Sequence, residues 1–287
     1  MTTTTSIREL YHALRAYAGP AAYRDVLAPW IDEHVAAVRE MLAPLAVHGG
    51  WRRVEYVWGD PLEQAYALSR VSDLLLLGFQ SGLPPEIDTP WAHELHVPEP
   101  EREPRITEDE YVGFLSALGM RRAEVARFDP FFHEIAAVEQ TEDPAAPIEL
   151  AEELWPCMML GEMLFGRAGV RVRAGEQQAV VGIADRSTLH EVFLRRHRPT
   201  HDLSFGWGTN SQWKTDFRRD YLTAAVYQFN VDADTDIDET GEFGDTRLTP
   251  SERRDLLRHR CLVRPLAHVP ADEEPWAGCR RLTSPRD

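Results

Sequence analysis

No apolar stretch of this chain is long enough to cross a bilayer. The longest, residues 71–79, is already interrupted by Ser72 and Asp73, whereas a span needs roughly 18–20 apolar residues. The opening MTTTTSIREL has neither a basic n-region nor an apolar h-region, so no secretory signal is read there and a cytoplasmic protein is expected. Cysteine is scarce: Cys157, Cys261 and Cys279 are an odd number, and none stands in a CxxC or CxxCH spacing. A disulfide framework is therefore not expected, and the sequence mark of covalently attached c-type haem is missing. Positive charge is scarce too, with 31 Lys and Arg against 47 Asp and Glu for a net charge of −16. The long-range field repels polyphosphate and anionic lipid, so neither nucleic acid nor membrane is an expected partner. The GK[ST] ending of a phosphate loop, the GxGxxG fingerprint and the HExxH zinc motif are all absent.

What is present is an ordinary globular composition, 43% hydrophobic over 287 residues, read as one domain covering residues 1–287. Helix signals dominate. Ser6 and Glu9 form a capping-box pair ahead of a periodic stretch ending near Gly19. Val26, Trp30, His34, Val38 and Met41 recur at helical steps over residues 23–47, and Gly49-Gly50 stops them. A further helix is predicted over 61–79. Six prolines then break residues 81–104 into an irregular segment holding Trp91, His93 and His96. Thr107 and Glu110 make a second capping box opening a helix towards Leu118. Helices are also predicted over 121–140, 149–165 and 212–229. Thr249-Pro250-Ser251-Glu252 marks one more helix start. Alternation around Val170 and Val172, with Gly175 as a turn, predicts a small β-hairpin near 169–184. The acidic run 232–245 reads as a solvated loop. The expected class is mainly α, a single helical domain with that one small hairpin.

The chemistry-bearing window is residues 185–221, DRSTLHEVFLRRHRPTHDLSFGWGTNSQWKTDFRRDY. His190 and His197 are seven apart, too far for both to hold one ion, and Pro199 separates His197 from His201. A compact two-histidine metal site is thus not supported. A single neutral imidazole can hold a haem iron and leave its other face open, provided cations such as Arg195, Arg196 and Arg198 meet the propionates. The small residues of Gly206-Trp-Gly-Thr-Asn-Ser would suit close backbone approach to the ammonium and carboxylate of a ligand.

This window resembles the histidine-ligated haem-dependent tyrosine hydroxylases, part of the wider haem group that includes tryptophan 2,3-dioxygenase. Looser similarity lies at PWAHELH and WPCMMLGEMLFG. The resemblance implies a mainly helical fold like that of the tryptophan dioxygenases and noncovalent haem b. It also implies conversion of L-tyrosine to 3,4-dihydroxyphenylalanine with hydrogen peroxide, in antibiotic (alkylproline) biosynthesis. Carried onto this chain, it makes His201 the iron ligand, with His197 and His190 as alternatives. Arg195 and Arg198 become haem contacts, and Thr209, Asn210 and Ser211 hold the amino-acid end. His93 becomes the catalytic residue near the phenol, with His96 as its rival. The family's turn carries a glycine where this chain has Asn210. A tryptophan or indole dioxygenase, a non-catalytic haem or aromatic amino-acid binder, and a purely structural helical protein are the competing readings, and a homo-oligomer stays open.

Overall fold

A computed structural model of the chain describes residues 3–55, 57, 59–80, 104–185, 216–239, 248–266 and 280–286. Its helices are α1 (Thr3–Ala16), α2 (Ala28–Leu42), α3 (Pro61–Leu76), α4 (Glu108–Ala117) and α5 (Pro250–His259). Both predicted threonine caps close as reciprocal boxes. Thr107 accepts from Glu110 N–H at the start of α4, and Thr249 accepts from Glu252 N–H at the start of α5, each glutamate reaching back to the threonine N–H. α1 begins at Thr3, so Ser6 lies within the helix rather than at its cap.

The central helix α3 starts at Asp60, whose Oδ1 accepts from Leu62 and Glu63 N–H at 2.9 and 3.2 Å. From Leu62 to Leu76 every residue is buried, the polar ones included. Burying Arg70 and Asp73 is tolerable because they face each other at 2.9 Å, and Ser72 shares a 2.8 Å hydrogen bond with Tyr111 of α4.

Among the described residues ten strands accompany these helices: β1 (Arg121–Ala123), β2 (His133–Gln140), β3 (Glu149–Trp155), β4 (Cys157–Leu160), β5 (Met163–Gly166), β6 (Ala168–Ala174), β7 (Tyr221–Leu222), β8 (Val226–Phe229), β9 (Thr235–Asp236) and β10 (Arg280–Pro285). They form a seven-stranded sheet in the order β1-β4-β5-β7-β8-β10-β9 and a three-stranded sheet in the order β2-β6-β3. The expectation of a mainly helical, tryptophan-dioxygenase-like fold is therefore overturned: the architecture is mixed α/β. The predicted helix 121–140 is β1 and β2; 149–165 is β3, β4 and most of β5; and the described part of 212–229 holds β7 and β8. The hairpin near 169–184 is also corrected. β6 pairs with β2 and β3, while residues 175–185 form turns rather than a returning strand.

At β4 and β5 the large sheet is buried on both faces. Met158, Leu160, Met163 and Phe165 join a core with α1 to α4, whereas Cys157, Met159 and Leu164 join a second core with β2, β6 and α5. Alternate residues of one strand thus serve opposite cores, which makes the sequence read as a continuous apolar run instead of alternation.

In the small sheet Gly169 of β6 stands opposite Trp155 of β3, whose indole lies across it. A Cβ added at Gly169 would sit 2.1 Å from the ring. Gly169→Ala should therefore lower unfolding stability by about 1–3 kcal/mol through overpacking, as read from urea denaturation. A variant as stable as the parent would show that the indole moves aside freely.

Candidate functional site

The segment entering β7 alternates sharply. Phe217, Arg219 and Tyr221 turn towards the helical core, and Arg218 and Asp220 towards the second one, as the period-two geometry of extended chain requires. On the helical side Arg219 forks onto Asp232 at 2.8 and 2.5 Å and lies 5.3 Å from the Trp51 ring. Arg53 approaches the same indole and grips Asp216 at 2.7 and 2.8 Å. The bidentate Arg53–Asp216 pair, the strong form of such contacts, and the 3.2 Å hydrogen bond from Arg219 to the Trp51 carbonyl fasten the loop after α2 to the segment that enters the large sheet.

On the opposite side Asp220 is fully buried. Its Oδ1 accepts from Asn230 N–H at 2.7 Å and its Oδ2 from Arg260 Nη2 at 2.5 Å. Arg167 Nη2 and Arg218 Nε each lie 3.7 Å from the same carboxylate. Asn230 and Arg260 are also the two non-glycine residues of positive φ among the described residues, at 52° and 55°. Left-handed backbone is tolerated by asparagine and costs a residue such as arginine on the order of 1 kcal/mol. Both left-handed residues end on one carboxylate.

Burial alone would raise the Asp220 pKa, but Arg260, Arg218 and Arg167 together with the Asn230 N–H bring it below its ordinary value, so it is ionised. Arg167, buried and beside Arg260, is pulled well below the usual arginine value. Next to these guanidinium groups the ring of Phe128 is stacked between His133 and His259, with centroids 5.8 and 5.9 Å away. Both imidazoles are held neutral. Desolvation lowers His133, and desolvation with Arg167, Arg258 and Arg264 brings His259 to about 3. His133 Nδ1 accepts from Asp129 N–H at 2.9 Å, which places its proton on Nε2. The Cys261 thiol is pushed up to about 12 by burial. A thiol so protonated is no nucleophile, and an imidazole at about 3 is a poor base. The arrangement is suited to holding negative charge, not to nucleophilic attack. Among the described residues no group of three or more His, Cys, Asp or Glu is placed to hold a metal ion.

His93, His96, His190, His197, His201, Arg195, Arg196, Arg198, Thr209, Asn210 and Ser211 lie outside the described residues. The ends of their window are described. Asp185 is buried and accepts from Gly182 N–H at 2.8 Å, and it acts electrostatically on Cys261, the neighbour of Arg260. Arg218 and Asp220 close the window at the other end. The sequence marks Asp185 only as one of two candidate caps, with Ser187, for a following helix, and gives Arg218 and Asp220 no role, although the alternation of Phe217-Arg-Arg-Asp-Tyr221 is there to be read. In the described part of the acidic run Asp232, Asp234, Asp238 and Glu239 are exposed, as expected of a solvated segment, with Asp232 paired to Arg219 and Asp238 to Arg254, while Thr235–Asp236 forms β9.

No protein-family model, curated protein or solved structure matches the chain.

The histidines give this region a pH signature. The folded-state pKa of His259 lies below the ordinary 6.5, so the unfolded chain takes up the proton first. That contribution to stability is complete above about 6.5 and is lost as pH falls towards 3. His259→Phe keeps a ring on Phe128 and removes the titration. Its unfolding free energy should fall less steeply over that window in urea denaturation at successive pH values. A slope equal to that of the parent would mean that His259 titrates normally.

Proposed function

We propose that the chain binds a small molecule at the charged centre around Asp220 and that this centre is the seat of its chemistry. The carrying observation is the convergence of two left-handed residues, Asn230 and Arg260, on a fully buried carboxylate ringed by Arg167, Arg218 and Arg260. Buried like charges and strained backbone both oppose folding, and such features gather where function retains them.

The test is stability without any ligand. Arg167→Met has nearly the same volume, relieves crowding among the guanidinium groups and leaves Asp220 its contact with Arg260. A melting temperature equal to or above the parent's is expected, because trading a buried charge for an apolar side chain is often neutral or stabilising. A loss of more than about 3 kcal/mol would assign the cluster to structure alone.

A second reading comes from residues 185–221: a cytoplasmic, haem-dependent hydroxylase acting on L-tyrosine with hydrogen peroxide. It is favoured by the anchoring of both ends of that stretch, Asp185 and Asp220, in the buried polar region. Within the buried polar region His133 does not fit as the ligand of an iron porphyrin. His133, the fully buried imidazole beside the arginines, carries its proton on Nε2, the atom whose lone pair would have to bind the metal. The reading consequently rests on His201 and its neighbours, and no catalytic step is derived from it. A Soret band in the haem-supplemented protein that shifts with L-tyrosine and disappears in His201→Ala supports it. Protein that stays colourless after supplementation eliminates it.

A further inference from the structure

We propose that the ligand of the Asp220 centre is a small oxyanion, a carboxylate or a phosphate group, received by Arg260. The inference rests on the site reading above and adds the chemical class of what binds there.

Arg260 supplies the geometry. It occupies the left-handed position that ends α5, where its N–H still closes on the Leu256 carbonyl at 2.8 Å. One arm of the guanidinium is committed to Asp220 through Nη2. Its Nε is buried and has no hydrogen-bond partner among the described residues. A buried donor left unmade is costly, and an oxyanion is the acceptor that fits a planar fork of N–H groups. Arg260 and Arg218 keep 17% and 15% of their side chains exposed, whereas Arg167 and Asp220 keep 1% and 0%. The centre is therefore approached from the side of Arg260 and Arg218, with Arg167 behind.

Charges of both signs surround the centre: Arg167, Arg258 and Arg264 act on His259, while Glu134 acts on Arg167 and Asp185 on Cys261. The unmade Nε–H of Arg260, not an excess of positive charge, is what calls for an acceptor. At a net charge of −16 the chain as a whole repels polyanions, so a guanidinium donor this confined selects a small anion over nucleic acid.

The experiment uses the full chain near neutral pH at constant ionic strength. Inorganic phosphate and malonate are each titrated against chloride, with melting temperature and titration calorimetry as readouts. Saturable stabilisation by phosphate alone identifies a phosphoryl ligand, by malonate alone a carboxylate, and by both a site that reads charge and shape together. Arg260→Gln should weaken that binding by about tenfold or more, and Arg218→Gln serves if Arg260→Gln does not fold. Arg254→Gln, whose partner is the exposed Asp238, should leave binding unchanged. Neither anion outperforming chloride overturns the inference, and so does binding that survives the loss of the arginine. Arg167→Met without ligand is independent of these titrations. A stable Arg167→Met variant, together with no anion binding by the parent chain, would sink the oxyanion and leave the site reading standing.

Discussion

The buried carboxylate of Asp220 is the tie on which the arrangement of the second core depends. Its backbone carbonyl accepts from Leu164 N–H at 2.9 Å, which docks the β7 segment on β5, while its side chain reaches the Asn230 turn and the end of α5. That negative charge, with Glu134 also acting on Arg167, offsets the repulsion among the three guanidinium groups. Two like charges about 4 Å apart repel by about 4 kcal/mol at an effective dielectric of 20, and the carboxylate offsets that repulsion at the end of α5.

The same short segment also organises the opposite face. Arg219 and Tyr221, which alternate with Arg218 and Asp220, hold Trp51 and the Leu45 carbonyl. One stretch of extended chain thereby fixes the helical layer on one side and the charged centre on the other. A change at residues 218–221 is transmitted to both cores, and the large sheet acts as the plate between them.

The helices that announce themselves by capping chemistry were legible in the sequence. Thr107 with Glu110 and Thr249 with Glu252 both mark real helices, because a cap is a local interaction carried by two or three neighbouring residues. The strands were not. β3 has register shifts between Leu150 and Glu152 and between Glu153 and Trp155, and each irregularity breaks the two-residue period that would reveal a strand. Its Glu, Leu and Ala also favour helix, and pairing with β6 overrides that preference. β4 and β5 show no alternation because both of their faces are buried. The charged centre escaped for a different reason. Arg167, Asp220 and Arg260 are drawn together by sheet order and by the end of α5, and no local spacing encodes that meeting. The histidines, arginines and small polar residues singled out in 185–221 lie outside the described residues, so the window contributes only its two ends to the geometry.

β10 has a consequence for how the molecule is made. It sits in the large sheet between β8 and β9, and Thr283 bonds to Gln228 across 55 residues of sequence. Until residue 285 has left the ribosome, β8 and β9 present bare ladder groups to their surroundings. Pairing of this non-local kind forms slowly, and unpaired edges invite association with other chains. A nascent polypeptide stalled shortly before residue 280 would carry nearly all of its apolar interior and lack the strand that seals it, the kind of intermediate that chaperones must shield.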